Sequence, residues 1–241
     1  MADIKETNKQ NLHPWEISRG DSILKVVRPY LTGRPKVIAD IGCGDLYFSK
    51  MLAEQFDCKI FAVDINFKDK SSDNEKITKL NSIDGLEAGT VDIVLLMDVL
   101  EHVENPLEFL SQVESKMRRG GILLVTVPAY QHLFSGHDIF LQHYRRYTIK
   151  SLRQELENGG FQVHKAYYFN SSLYVLRLIQ LVIAKIKKNH GMTNITGWKY
   201  GRDAVLTKVI KAALNVDFQI NRALRRLPLF GLSVFAVCKM N

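Results

Sequence analysis

A doubly wound α/β fold on a mostly parallel sheet is what this 241-residue sequence predicts. Three observations carry the prediction. Short apolar runs alternate with stretches whose apolar residues recur at helical spacing, the pattern of strands joined by crossover helices. The first run, "KVIADI", leads straight into a turn built on two glycines, "GCG". The residues richest in chemistry sit at or just past the ends of the runs, where such a sheet opens its crevice.

The elements follow in order. "KVIADI" (36–41) reads as a buried strand and "DLYFSKMLAEQF" as the helix after it. "KIFAVDI" (59–65) is a second strand, and the polar "NFKDKSSDNE" is a loop with a short helix. "VDIVLLMDV" (91–99) is the most apolar run. In "NPLEFLSQVESKMRRGG", Asn105 is placed to cap a helix, Pro106 to open it, Glu108 to complete a capping box and Gly120-Gly121 to end it. Leu107, Leu110, Val113 and Met117 recur along its apolar face. "ILLVTVP" (122–128), "FQVHKAYYF" (161–169) and "GLSVFAVCK" (231–239) are further strands, with the helix "TIKSLRQELENGG" before the second of these.

Bulk composition narrows the setting. A chain of this length with 46% hydrophobic residues can bury one sizeable core. The N-terminus is polar, without the apolar stretch of a secretory signal. Cys43, Cys58 and Cys238 show no metal or redox spacing. A reduced, cytoplasmic setting is expected.

The net charge of +8 is concentrated. Residues 170–228 carry eleven Lys and Arg against two Asp. Within them "SSLYVLRLIQLVIAKIKK" is apolar but interrupted by Arg177, Gln180 and Lys185, too short and broken for a bilayer span. This segment, 170–229, reads as a basic helical insertion that acts as a lid. Its apolar-plus-basic helices also suit a peripheral contact, through 172–228, with the inner face of a membrane. Nucleic acid is not expected: aromatic residues are sparse there, and no RNA-binding module is recognisable. The remaining divisions are a helical cap (1–35), a cofactor-binding core (36–169) and the final strand (230–241).

The turn names its ligand by what it lacks. A dinucleotide fingerprint needs a third glycine where Tyr47 stands, and a pyrophosphate would be repelled by Asp40, which lies just ahead of the turn. That carboxylate suits an ammonium instead. Asp64 ends the next strand, twenty residues after Gly44, where a carboxylate can accept both hydroxyls of a ribose. A ribose and a cation without phosphate describe S-adenosylmethionine (SAM).

On these residues the sequence resembles the class I SAM-dependent methyltransferases, which have a Rossmann-like seven-stranded sheet. "ADIGCGDLYFS" resembles their glycine motif, with Leu46 in place of its last glycine. "FAVD" is similar to their second motif. "VDIVLLMDVLEHVENP" resembles the fourth, in the branch of the ubiquinone-biosynthesis O-methyltransferases, and "GGILLVTVP" the fifth-strand motif. The likeness spans roughly 13–169 and returns at "LPLFGLSVFAVCK". "HPWE" with Arg19, and "HDIFLQHYRRYT" (137–148), are similar to a bacterial group within the family.

The resemblance implies a cofactor site of Asp40, Gly42, Cys43, Gly44, Asp64 and Ile65, with Ser82 and Ile83 at the adenine and Met97 and Asp98 at the end of the following strand. Trp15 and Arg19 would close it. The expected activity is base-assisted, in-line methyl transfer to a small-molecule or lipid-linked acceptor. An RNA methyltransferase and a SAM binder without turnover are the alternatives.

Candidate bases are His102, His143 and His137, the last oriented by its neighbour Asp138. Asp138, Arg145, Arg146 and Tyr147 are acceptor-binding candidates, the arginines gripping an anionic group. Asp98, Glu101 and His102 share one face of a turn, and the resemblance implies a divalent metal there in some relatives. The reading does not require that metal.

Overall fold

The computed structural model describes residues 14–32, 36–68, 74–186 and 230–240, with isolated helical positions between 212 and 220. A seven-stranded sheet runs through it: β1 (Lys36–Ile41), β2 (Cys58–Val63), β3 (Ile77–Leu80), β4 (Val91–Met97), β5 (Met117–Pro128), β6 (Phe161–Phe169) and β7 (Ser233–Met240). Its order is β3-β2-β1-β4-β5-β7-β6, parallel except for β7, which is antiparallel to both β5 and β6. Strand order reverses between the parallel neighbours β1 and β4, so the crevice opens beyond their carboxyl ends.

Both faces are covered, which is why the strands read as unbroken apolar runs. Ile38, Ile93 and Leu95 point to one side, against Ile23, Val27 and Leu52 of helices α1 (Pro14–Val27) and α2 (Tyr47–Gln55). Ala39, Val94 and Leu96 point to the other, against Leu110 and Val113 of α3 (Pro106–Lys116) and Leu152 and Leu156 of α5 (Ile149–Asn158). The short α4 (Gly136–Phe140) lies between β5 and α5, and α6 (Ser171–Ile186) follows β6 directly.

Three local expectations give way. The strand β3 was not visible as an apolar run, because only Ile77 of its four residues is buried. Asn105 has φ −112° and makes no side-chain cap, so the box with Glu108 does not form. Helix α3 also ends before the glycine pair. Met117 is buried as the first residue of β5, opposite Val91, and the register then jumps to Ile93–Ile122. Gly120, at φ +74°, and Gly121, whose Cβ would stand 2.7 Å from the Arg118 carbonyl oxygen, absorb that jump inside the strand. Thr148 does cap α5, accepting from the Ser151 amide at 3.1 Å.

Leu46 holds the left-handed backbone (φ 66°, ψ 9°) ahead of α2 that a glycine adopts freely, and its side chain is buried. Burial thus offsets backbone strain. Leu46→Ala keeps the strain and loses the packing, a cost of about 2–3 kcal/mol. Leu46→Gly loses the packing but sheds about 1 kcal/mol of strain. Urea denaturation is expected to find the glycine variant the more stable of the two; the reverse order would contradict this account.

Of the basic insertion, α6 is described through Ile186, although the side chains from Gln180 onward are not. Lys187, Lys188, Lys199, Arg202, Lys208, Lys211, Arg222, Arg225 and Arg226 lie outside the described residues, as does the side chain of Trp15. Among the described residues no helix is long and apolar enough to cross a membrane.

Candidate active site

At the end of β1, Asp40 is almost fully buried (2% exposed), and Ser49 Oγ donates to its Oδ2 at 2.6 Å. Burial pushes its carboxyl up to about 6, while the Ser49 bond and the Arg19 charge pull the other way and Asp64 adds repulsion. The glycine turn closes over the neighbouring strand. Gly42 donates to the Val63 carbonyl at 2.7 Å, and a side chain on it would meet Val99 at 2.6 Å. The Gly44 amide donates to Asp64 Oδ2 at 3.0 Å, and the space where its Cβ would stand is open. Asn66 donates to Asp64 Oδ1 from its backbone and its side chain, each at 2.9 Å.

Two carboxylates therefore share one cleft with an open backbone approach, an arrangement that attracts a cation. Burial and these acids push the Cys43 thiol far up, so it is no nucleophile. Ser82 caps the turn after β3, accepting from the Asp84 amide at 3.2 Å; Ser82 and Ile83 are half-buried at the cleft's side. Met97 is half-buried, whereas Ile65 is 88% exposed. Asp98, also at positive φ, is held by an ion pair with Arg19 and by Thr126 Oγ1, which donates at 2.9 Å. That pair ties α1 to β4 across the cleft.

The second half of the site lies past β4 and β5. Asp138, in α4, is completely buried. It accepts from Arg146 Nε at 2.7 Å, Arg146 Nη2 at 3.2 Å and the Ser135 amide at 2.9 Å. It also bonds His143 Nδ1 at 3.0 Å. These bonds hold its carboxyl well below the usual carboxylate range, against the burial that would raise it. The His143 ring meets the His102 ring edge-on, centroids 4.6 Å apart. Both line a pocket of about 450 Å³ with Ile139, Gln142 and Tyr144.

Several expectations change in detail. The histidine bonded to Asp138 is His143, five residues on, not the adjacent His137, which is exposed. The guanidinium of Arg146 is spent on Asp138 and on the Ala129 carbonyl, and Arg145 donates to the Glu104 carbonyl at 2.7 Å. Tyr147 is buried, its hydroxyl 3.5 Å from the Leu100 carbonyl. Asp138, Arg146 and Tyr147 thus build the wall of the pocket; they do not reach into it.

The metal-capable set also differs from the expected Asp98, Glu101 and His102. Asp98 is turned to Arg19, and the ligand atoms that come within 4.8 Å of one another belong to Glu101, His102 and His143. Glu101 is fully buried with neither carboxylate oxygen hydrogen-bonded. Burial first, then Asp98, pushes its carboxyl well above the usual range. A buried orphan carboxylate, two imidazoles, and an acid behind one of them fit a divalent transition ion.

Known proteins are similar to this chain in sequence and fold. A family model described as "Methyltransferase domain" matches residues 19–166, more than half of the chain. The ubiquinone biosynthesis O-methyltransferase of Schizosaccharomyces pombe mitochondria is 32% identical over 126 residues, 48% of this chain and 46% of that protein. A tRNA U34 carboxymethyltransferase of Mannheimia succiniciproducens is 29% identical over 155 residues, 56% of this chain and 48% of that protein. The chain spans about half the length of the curated relatives it matches. Phosphoethanolamine N-methyltransferase 2 of Haemonchus contortus, solved with SAM, shares the fold at a TM-score of 0.60 and 14% identity, over 98% of this chain and 55% of that one. With the sheet order and the glycine turn, these matches show that the chain belongs to the class I SAM-dependent methyltransferase family.

Proposed function

We propose that this protein transfers the sulfonium methyl group of SAM to a small-molecule or lipid-linked acceptor held in the pocket of His102 and His143. The observation that carries the reading is the Asp138–His143 pair, which presents an oriented imidazole at the rim of the cleft that Asp40 and Asp64 line. The displacement itself needs alignment and exclusion of water, worth as much as ~7 kcal/mol. Asp64 takes the ribose hydroxyls. Asp40 faces the ammonium of the cofactor's amino-acid end. His143 accepts the proton that the acceptor loses, with Asp138 fixing its tautomer and orientation. Glu101, His102 and His143 would alternatively hold a divalent ion; the free nitrogen of His143 would then go to the ion, which would lower the pKa of an acceptor hydroxyl in place of the base.

Calorimetric titration with SAM, paired with S-adenosylhomocysteine release in the presence of candidate acceptors, tests the proposal. A carboxyl that titrates near 6 in the free protein must be ionised to hold an ammonium. SAM affinity is therefore expected to fall as the pH drops from 7.5 to 5, and Asp40→Asn to flatten that dependence at a lower affinity. Affinity that rises on acidification would overturn the assignment of Asp40.

A further inference from the structure

A charge imbalance lies beside this pocket, centred on a residue that neither half of the site uses. Arg177 of α6 is 7% exposed, and its Nη2 donates to Ser135 Oγ at 2.8 Å. Among the described residues it has no carboxylate within ion-pair distance. The acid near it, Asp138, already serves Arg146 and His143. Two nearly buried guanidiniums therefore share one carboxylate, and one positive charge is left without a match. Burial and repulsion from Arg146 both press against the charge on Arg177. His137 is exposed at the open side of α4, two residues past the Ser135 hydroxyl that Arg177 holds, and partial burial, with the charges of Arg177 and Arg146, pulls its ring toward the neutral form against Asp138. Keeping an unmatched guanidinium out of water is costly unless an anion completes it.

The surroundings specify the rest of the ligand. Ile139 and Phe140, on the helix that carries His137, are 68% and 74% exposed. Leu176 and Ile179, on the helix that carries Arg177, are 55% and 50% exposed. A cationic fork and an imidazole flanked by bare apolar side chains on two adjoining helices match an amphiphile with a charged head.

We propose that Arg177 and His137 form a seat for the phosphate of an acceptor that carries an apolar chain, with Ile139, Phe140, Leu176 and Ile179 taking the chain. Arg177 offers a planar fork of free donors, and a phosphate has a third oxygen left for the His137 ring, which a carboxylate lacks. The inference rests on the methyl-acceptor reading above and names the acceptor's class.

Hexyl phosphate is the probe, with inorganic phosphate, hexanol and hexanoate as comparisons, titrated into the full chain. Hexyl phosphate is expected to bind at least tenfold tighter than each of the others. Arg177→Met is expected to lose at least tenfold of that affinity and Phe140→Ser several-fold, with SAM affinity unchanged in both. Equal binding of hexanol or hexanoate, or full retention by Arg177→Met, would overturn the proposal. The ligand series on the unaltered protein decides the matter even where a variant does not fold. Sedimentation with vesicles of phosphatidylcholine, with and without phosphatidic acid, identifies the source. Pelleting that needs both phosphatidic acid and Arg177 supports a lipid headgroup, and hexyl phosphate binding without pelleting supports a soluble phosphate ester. Loss of SAM binding by the unaltered protein, with hexyl phosphate still bound, would strike the methyl-transfer reading and leave the seat intact.

Discussion

Asp64→Ala is expected to weaken SAM binding about 100-fold while leaving the fold in place. The carboxylate lies just past the end of β2 and is half-buried, outside the apolar core. Its oxygens organise the floor of the cleft through the Gly44 amide and Asn66. Oδ2 has a further lone pair for one ribose hydroxyl, and Oδ1, which already accepts twice from Asn66, takes the second when the Asn66 side chain gives way to it. Hydrogen bonds to a charged acceptor contribute about 1.5–3 kcal/mol each, and part of the loss is recovered by water entering the gap. A net loss of about 2.7 kcal/mol is a factor of 100 in affinity. Asp64→Asn keeps one side-chain oxygen, which the Gly44 amide and the ribose must share, turns the other into an NH2 donor and removes the charge, and should lose only about tenfold on the same scale. Calorimetry on both variants, with thermal melts as the control for folding, checks the order. Affinity unchanged in Asp64→Ala would remove the ribose from this end of the cleft and with it the orientation of the cofactor.

The cofactor half of the site was legible in the sequence because it is local. Asp40, Gly42, Gly44 and Asp64 stand at strand ends, where chain order alone fixes their positions. The acceptor half was legible in composition but not in pairing. Nothing in "SGHDIFLQHYRRYT" says that Asp138 reaches forward five residues to His143 instead of sideways to His137. That choice follows from the helical turn at Gly136–Phe140, which buries Asp138 and leaves His137 facing out. Asp98 illustrates the same limit. Its spacing to Glu101 and His102 suggests one helical face, yet its own φ of 57° breaks the turn and delivers it to Arg19, 79 residues earlier. Contacts of that range depend on the packed sheet. That Arg177 meets no carboxylate among the described residues is likewise invisible in a charge count, since it depends on what Asp138 has already bonded.

His143→Gln is expected to lower kcat about 100-fold, the smaller end of what a positioned base contributes, with SAM affinity changed less than about twofold. Glutamine is the informative replacement because it fills similar space and its amide can still donate to Asp138 Oδ1, so the wall of the pocket stands. What it cannot do is accept the acceptor's proton. His143→Ala removes the donor as well and leaves Asp138 with Arg146 and Ser135 as its remaining side-chain partners. The alanine variant should therefore lose stability by about 1–3 kcal/mol besides losing turnover. Separating the two variants by melting temperature and by steady-state kinetics divides the chemical role of the imidazole from its structural one. Full turnover in the glutamine variant would move the base elsewhere, to His102 across the ring contact or to His137 beside the cationic cluster, and the proton route drawn from Asp138 through His143 would fail.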